Sequence, residues 1–446
     1  MNYTASLRKI KIKFSNISKT NLRRWPTAFL LIAYALVGMG LSSAALAATL
    51  CVNTGGSGGC YSTISAAVAA AHPKDTIKVS PGTYAEDVII DKSISLVGVS
   101  RGNTIIDATG LANGIYVDGL DNPGLNHVLV SGFTVKNADF EGILIANSAY
   151  VTVSVTNVFN NDLSLSAQTG TCPGLPVWET AEGFDCGEGV HLSGATYSII
   201  TNNRVYKNSG GILLSDDTGA THHNVISNNI VHDNPTDCGI TLASHPPAAL
   251  TGSPAPLGVH HNTISANNSY RNGLGLAGAG AGVGLFTSVP GAKTYSNVVI
   301  GNSLTNNGLP GVSMHSHTPG QNLNNNSIIK NHIAGNHADT DDSFTPGPTG
   351  INVFGVSPIR GTIITQNTIE NEAIDVVANT PATVTLHLNN LLGAGKIGVD
   401  NLGTGKVDAT QNWWGCFGGP TKKNCSSVSG PNVLFTPWLN SPFTGQ

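Results

Sequence analysis

The chain has 446 residues, of which only 11% are charged, with 53 Gly, 22 Pro and a formal charge of −4. Residues 1–47 hold seven Lys or Arg and no acid, so the remainder carries 22 − 7 = 15 basic against 26 acidic side chains, near −11. That balance excludes sequence-independent nucleic-acid binding, which runs on phosphate neutralisation, and disfavours an unaided hold on a polyanionic sugar; a bound divalent cation such as calcium would lift the second objection.

In chain order, a basic stretch at 8–24 leads into fourteen apolar residues, Ala28 to Leu41, and then the small-residue segment Ala45-Leu46-Ala47. This is the pattern of a secretory signal over 1–47, cut after Ala47. The apolar run is shorter than the roughly 20 residues of a membrane span. A secreted or periplasmic monomer without membrane insertion is expected. Export favours disulfides, and the near-neighbour cysteines pair as Cys51 with Cys60, Cys172 with Cys186 and Cys416 with Cys425, leaving Cys238 as a buried thiol.

The Ala-rich stretch Tyr61 to Ala71 predicts a helix closing one end of the domain, within an N-terminal cap over 48–73. From 74 to 410 the chain is repetitive. Glycine-led copies read "GVHLSGA" (189), "GILLSDD" (211), "GITLASH" (239), "GVGLFTS" (282), "GVSMHSH" (311) and "GINVFGV" (350), with partial copies "GIYVDG" (114), "GILIAN" (142), "AIDVVA" (373) and "KIGVDN" (396). Between them run Asn-rich copies such as "ITNNRVYKN" and "ISNNIVHDN". Short alternating apolar runs separated by Asn and Gly are strands joined by tight turns, and repetition every roughly 22 to 29 residues is a solenoid whose units bury their faces only against one another. Asn203, Asn229, Asn268, Asn302, Asn331, Asn367, Asn390 and Asn412 are assigned to one slot, where stacked amides bond along a ladder. Residues 411–446, with "QNWWGCFGGP", form a C-terminal cap.

The segment "TISAAVAAAHPKDTIKVSPGTYAEDVIIDKSISLVGVS" followed by "NTIIDATG" resembles the opening of the pectin-lyase-like superfamily, and the Asn-rich repeats are similar to those of sugar-binding and sugar-hydrolysing β-helix domains. The resemblance covers about residues 51 to 439 and implies an all-β, single-stranded right-handed parallel β-helix acting on, or binding, an extracellular polysaccharide. Pectinesterases share the opening, but their signatures "GxxDFIFG" and "LGRPW" are absent here. The arginine base usual in pectate lyases has no counterpart among Arg204, Arg271 and Arg360, which occupy non-equivalent slots. "GFDCGEG" is similar to the "GFDPH" of mannuronan epimerases without its Pro-His.

Within the glycine-led copies, offsets one and three after the glycine are apolar throughout, so period-two alternation turns them into the lumen and offsets two and four outward. Offset six carries Asp217, His245 and His317. Stacked rungs lie about 4.8 Å apart, which puts Asp217 about 5 Å from His245 and His245 about 10 Å from His317. Asp beside His makes an oriented base or acid, so Asp216, Asp217, His245, His315 and His317, together with Glu188, are the expected catalytic set. Glu188, at the opposite end of its strand, joins a second acidic cluster with Glu182, Asp185 and Asp237. Asp339, Asp341 and Asp342 in "HADTDDSFTPG" are spaced as oxygen ligands for calcium. The paired histidines of "THHNVIS" and "VHHNTIS" fall in register on consecutive rungs, as a surface ladder or as imidazole ligands for copper or zinc. The alternative to an enzyme is a non-catalytic glycan-binding or metal-handling protein.

Overall fold

The computed structural model describes residues 47–162, 176, 178, 187–244, 257–340, 345–393 and 396–445. The expected signal peptide, the Cys172–Cys186 pair, Glu182, Asp185, His245, Asp341 and Asp342 lie outside these residues. Among the described residues the strands form three long parallel sheets of 14, 12 and 11 strands, with a three-stranded sheet at one corner. Each turn of the chain adds one short strand to each long sheet. Here sheet 1 is the one opened by Thr49–Val52, sheet 2 by Gly82–Tyr84 and sheet 3 by Val88–Ile90.

The lumen is built as the alternation requires. Offsets one and three of every full copy, from Val190 and Leu192 to Ile351 and Val353, lie in one continuous buried core. Slot zero is glycine for a steric reason: a Cβ at Gly211 would stand 2.1 Å from the Gly239 carbonyl oxygen, and one at Gly239 would stand 2.0 Å from Ser269 Oγ. The last two copies depart from the expected register. Ile351 pairs with Val376 and Val376 with Val399, so slot zero is filled by Asp375 and Gly398 rather than by Ala373 and Lys396. Both copies are shifted by two residues because no glycine marks the slot in the first of them.

The corners are held by asparagines that point inward, each following a residue in the left-handed region. One ladder runs Asn203, Asn229, Asn267, Asn302, Asn331, Asn367, Asn389 and Asn412. Each Oδ1 accepts from the backbone N–H and the side-chain amide of the previous rung's Asn at 2.8–3.1 Å. The inward residues are Asn267 and Asn389, not Asn268 and Asn390. The slot is fixed by the left-handed residue before it, Ala266 (φ 53°) or Leu388 (φ 58°), and not by residue type alone. Parallel ladders run through Asn224, Asn262 and Asn297 and through Asn208, Asn234 and Asn272.

At the N-terminal side the helix α1 (Ile64–Ala70) packs Ile64, Ala67 and Val68 into the core. Thr63 caps it, and Glu86 accepts from the Ile64 and Ser65 N–H groups at 2.8 Å, satisfying donors a helix start leaves open. Cys51–Cys60 and Cys416–Cys425 are disulfides, and Cys238 is a buried thiol pushed well above its usual pKa by burial. Trp414 is fully buried in the same core. No helix among the described residues is long and apolar enough to cross a membrane.

Candidate active site on the outer face of sheet 3

Offsets two and four of the glycine-led strands face outward, yet most of them are buried: His191, Leu213, Thr241, Ser313 and Asn352, then Ser193, Ser215, Ala243 and His315. The face expected to meet water is roofed. Trp178, from the segment between the strands Asn157–Phe159 and Glu188–Ser193, packs with Leu144 and Ala146 against Tyr116 and Leu120. Further along, Phe286 packs against Cys238, Ala281 and Leu309. A second inserted loop lays Asp339 across Ser313, His315 and Asn352.

Under this cover, strands from three successive rungs bring Glu141, His191 and Ser215 into one hydrogen-bonded chain. His191 Nδ1 lies 2.9 Å from Glu141 Oε1 and His191 Nε2 lies 2.8 Å from Ser215 Oγ. Glu141 Oε2 accepts from the Glu188 N–H at 2.8 Å. The carboxylate thereby fixes the ring, and the tautomer with a proton on Nδ1 leaves Nε2 as acceptor for the Ser215 hydroxyl. The Ile143–Val190 register puts Glu141 and Glu188 in one slot on neighbouring strands. Potential ligand atoms of Glu141, Glu188 and His191 all lie within 4.8 Å of one another. Both ring nitrogens of His191 are engaged by protein side chains. On the next rung Gly210 lies against the same group: a Cβ there would meet Glu188 Cγ at 2.9 Å and Asp237 Oδ2 at 3.2 Å. Glu188 and Asp237 therefore both border Gly210, and Asp237 also accepts from Thr241 Oγ1 at 3.1 Å.

Four strands further along, His315 Nε2 lies 2.7 Å from Asp339 Oδ2 and 2.8 Å from Ser313 Oγ, while Asn352 Nδ2 donates to the same carboxylate oxygen at 2.9 Å. Burial is the largest influence on Asp339 and raises its pKa. The His315 hydrogen bond and charge, with bonds from Asn352 and Ser313, outweigh it and leave the carboxyl below its usual range. The His315 ring is bracketed by Phe286 and Phe354 and met edge-on by His317 at 5.4 Å.

Of the residues expected from sequence, His315 and His317 meet and the others described take separate places. Asp216 staples a turn, its Oδ2 accepting from Ser244 Oγ at 2.9 Å and Gly258 N at 2.6 Å. Asp217 is fully buried in that turn. His317 contacts the Thr287 carbonyl oxygen through Nδ1 at 2.7 Å. The strands Ile240–Ser244 and Val283–Thr287 lie between the strands that lead into Asp217 and His317, so about 14 Å of stacked rungs separate the two, as the shared slot implied. Asp339, proposed as a cation ligand, spends its Oδ2 on three side chains. Glu188 is the expected residue that stands beside the bonded Glu141, His191 and Ser215. Sequence reading missed its partners Glu141, His191 and Ser215. The signal available was the acid directly before the glycine in both "EGILIA" and "EGVHLS".

Residues 94–285 match the family model "Right handed beta helix region". No curated protein sequence matches the chain. Among solved structures, the chain is similar to the A-module of the Azotobacter vinelandii mannuronan C-5 epimerase AlgE4 (15% identity, 84% of this chain and 94% of that one, TM-score 0.46). It is also similar to the DFA-IIIase of Arthrobacter chlorophenolicus A6 without its lid (13%, 82% and 89%, 0.49) and to the pectate lyase Pel9A (14%, 88% and 79%, 0.40). At these identities the likeness concerns fold alone. With its stacked parallel sheets and the family match over residues 94–285, the chain folds as a right-handed parallel β-helix.

Proposed function

We propose that the protein cleaves glycosidic bonds of an extracellular polysaccharide at the Glu141–His191–Glu188 cluster. The observation that carries this reading is a carboxylate-oriented histidine with a second carboxylate beside it, drawn from adjacent rungs of one face. The polysaccharide class comes from the sequence resemblance; the geometry supplies the acid–base part. Glu188, beside Gly210, transfers its carboxyl proton to the leaving oxygen. Water attacks the anomeric carbon as that proton is delivered and gives its own proton to His191, which Glu141 orients through Nδ1. Glu141, Glu188 and Asp237 repel a uronate, as does a net charge near −11 outside residues 1–47, so the substrate is a neutral polymer cleaved by hydrolysis rather than an acidic one cleaved by elimination. Trp178, lying over the face, must shift for a chain to enter.

The test is release of reducing ends from a panel of neutral and acidic polysaccharides. Glu188→Gln and His191→Asn should each lower kcat by about 10²-fold or more with unchanged melting temperature, whereas His245→Ala and His317→Ala should not. Activity that survives in both the Glu188 and His191 variants, or that is lost only in the turn variants, refutes the assignment. One observation favours a second reading: Ser215 Oγ is bonded to His191 Nε2, the arrangement of an activated nucleophile, which would remove acyl groups from an esterified polysaccharide. Ser215→Ala separates the two, since it abolishes ester hydrolysis and spares glycosidic cleavage.

A further inference from the structure

Away from this site, the sequences "THHNVIS" and "VHHNTIS" occupy the same corner on consecutive rungs. His222 and His260 are strand residues of the three-stranded corner sheet, while His223 (φ 58°) and His261 (φ 56°) are left-handed, and the Asn that follows each pair turns inward. A left-handed residue swings its side chain back beside that of its predecessor. The two rings of each pair accordingly meet almost at right angles, at 85° and 87°.

What meets at that point is unusual. Where the same backbone step recurs at His232 and Asp233 (φ 57°), the Nδ1 finds a carboxylate oxygen at 2.6 Å. In the two His-His pairs Nδ1 faces Nδ1, at 2.8 Å in both. With metal–nitrogen bonds of about 2.0–2.1 Å, two nitrogens 2.8 Å apart subtend about 85° at a shared ion, while a tetrahedral centre would need them about 3.3 Å apart. The bite is that of cis ligands in a tetragonal field, which copper(II) and nickel(II) prefer and zinc does not.

The two seats are copies of each other. His222 stacks on His260 at 5.0 Å and 12°, and His223 on His261 at 5.2 Å and 4°. Tyr197 stacks on His223 and Tyr295 on His260, each ending one of the two columns. His223 and His261 are exposed, and the open side of each seat faces solvent.

We propose that His222 with His223, and His260 with His261, form two adjacent chelating sites for a tetragonal divalent ion, copper(II) foremost, about one rung apart on the surface of the rod. The test is titration of untagged full-length protein with copper(II) at pH 7, followed by calorimetry and by electron paramagnetic resonance. Two equivalents should bind, each with hyperfine structure from two imidazole nitrogens, and the fully loaded protein should show dipolar coupling between the ions. His223→Asn and His261→Asn keep a residue that tolerates the left-handed backbone, so the fold is retained. Each should remove one equivalent and together both. Zinc(II) should bind at least tenfold more weakly than copper(II). Two equivalents persisting in the double variant, no binding to the unaltered protein, or zinc binding as tightly as copper would each overturn the assignment.

Discussion

Glu372 shows how one side chain can tie stability to pH in a protein with so few charges. It ends an inward Asn ladder, its Oε1 accepting from Asn336 N at 3.0 Å and Asn336 Nδ2 at 2.9 Å, three residues before Asp375 in the slot that glycine fills elsewhere. Burial, the largest influence, raises Glu372 to about 7 against the bonds from Asn336 and the charges of Lys396 and His337; burial and then Glu372 push Asp375 well above its usual value. Both groups bind protons more tightly folded than unfolded, so stability is highest below the unfolded carboxyl range near 4.5 and falls as pH rises through about 7. For Glu372 the fall amounts to about 3 kcal/mol at most. Glu372→Gln keeps the acceptor and cannot ionise. Urea midpoints measured from pH 5 to 8 should therefore decline less steeply in the variant than in the parent, with a higher midpoint at pH 8; parallel curves would show that Glu372 does not carry the effect.

Among the elements, the Asn ladders decide which of two adjacent residues matters. Asn267 gives two bonds to Asn302 Oδ1 and one to the Ile226 carbonyl oxygen, and receives two from Asn229. Its neighbour Asn268 is exposed on its strand. Asn267→Ala should strand buried donors on Asn229, at about 1–3 kcal/mol each, and lower the urea midpoint accordingly, whereas Asn268→Ala should stay within about 0.5 kcal/mol of the parent. Equal effects would contradict the register. This pair also marks how far the sequence could be read. The glycine-led copies revealed the lumen-facing residues because offsets one and three repeat without exception across six rungs. The ladder residues at 267 and 389 were displaced by one because two asparagines stand side by side, and only the backbone hand of the preceding residue chooses between them. The site was less legible still. Glu141 and His191 are 50 residues apart and meet only because an insertion of some two dozen residues adds no rung to the stack. The cover over the outer face comes from inserted segments that obey no period, so alternation alone led to solvent where the structure has Trp178 and Asp339.

At the scale of the whole molecule, every strand pairs with the rung before and the rung after, so stability is a chain of nearest-neighbour terms closed at its ends. The C-terminal closure is aromatic. Trp414 is fully buried beneath the strand Ile397–Asn401, close enough that a Cβ on Gly398 would stand 2.9 Å from its ring, and Asn412 ends the long ladder two residues earlier. Trp414→Ala should cost about 3–5 kcal/mol, yet in a solenoid the loss need not spread. The rungs at 397–401 and 407–408 lie beside the Trp414 segment, while Thr49–Val52 pairs with Thr76–Val79 at the opposite end of sheet 1. Local openings near the altered end then become frequent without lowering the barrier at the other. Hydrogen exchange followed by mass spectrometry should show faster exchange from about residue 384 to 434 in Trp414→Ala and parent-like protection from 76 to 135. Uniform loss along the chain would mean that the rungs unfold as one cooperative unit rather than as coupled neighbours.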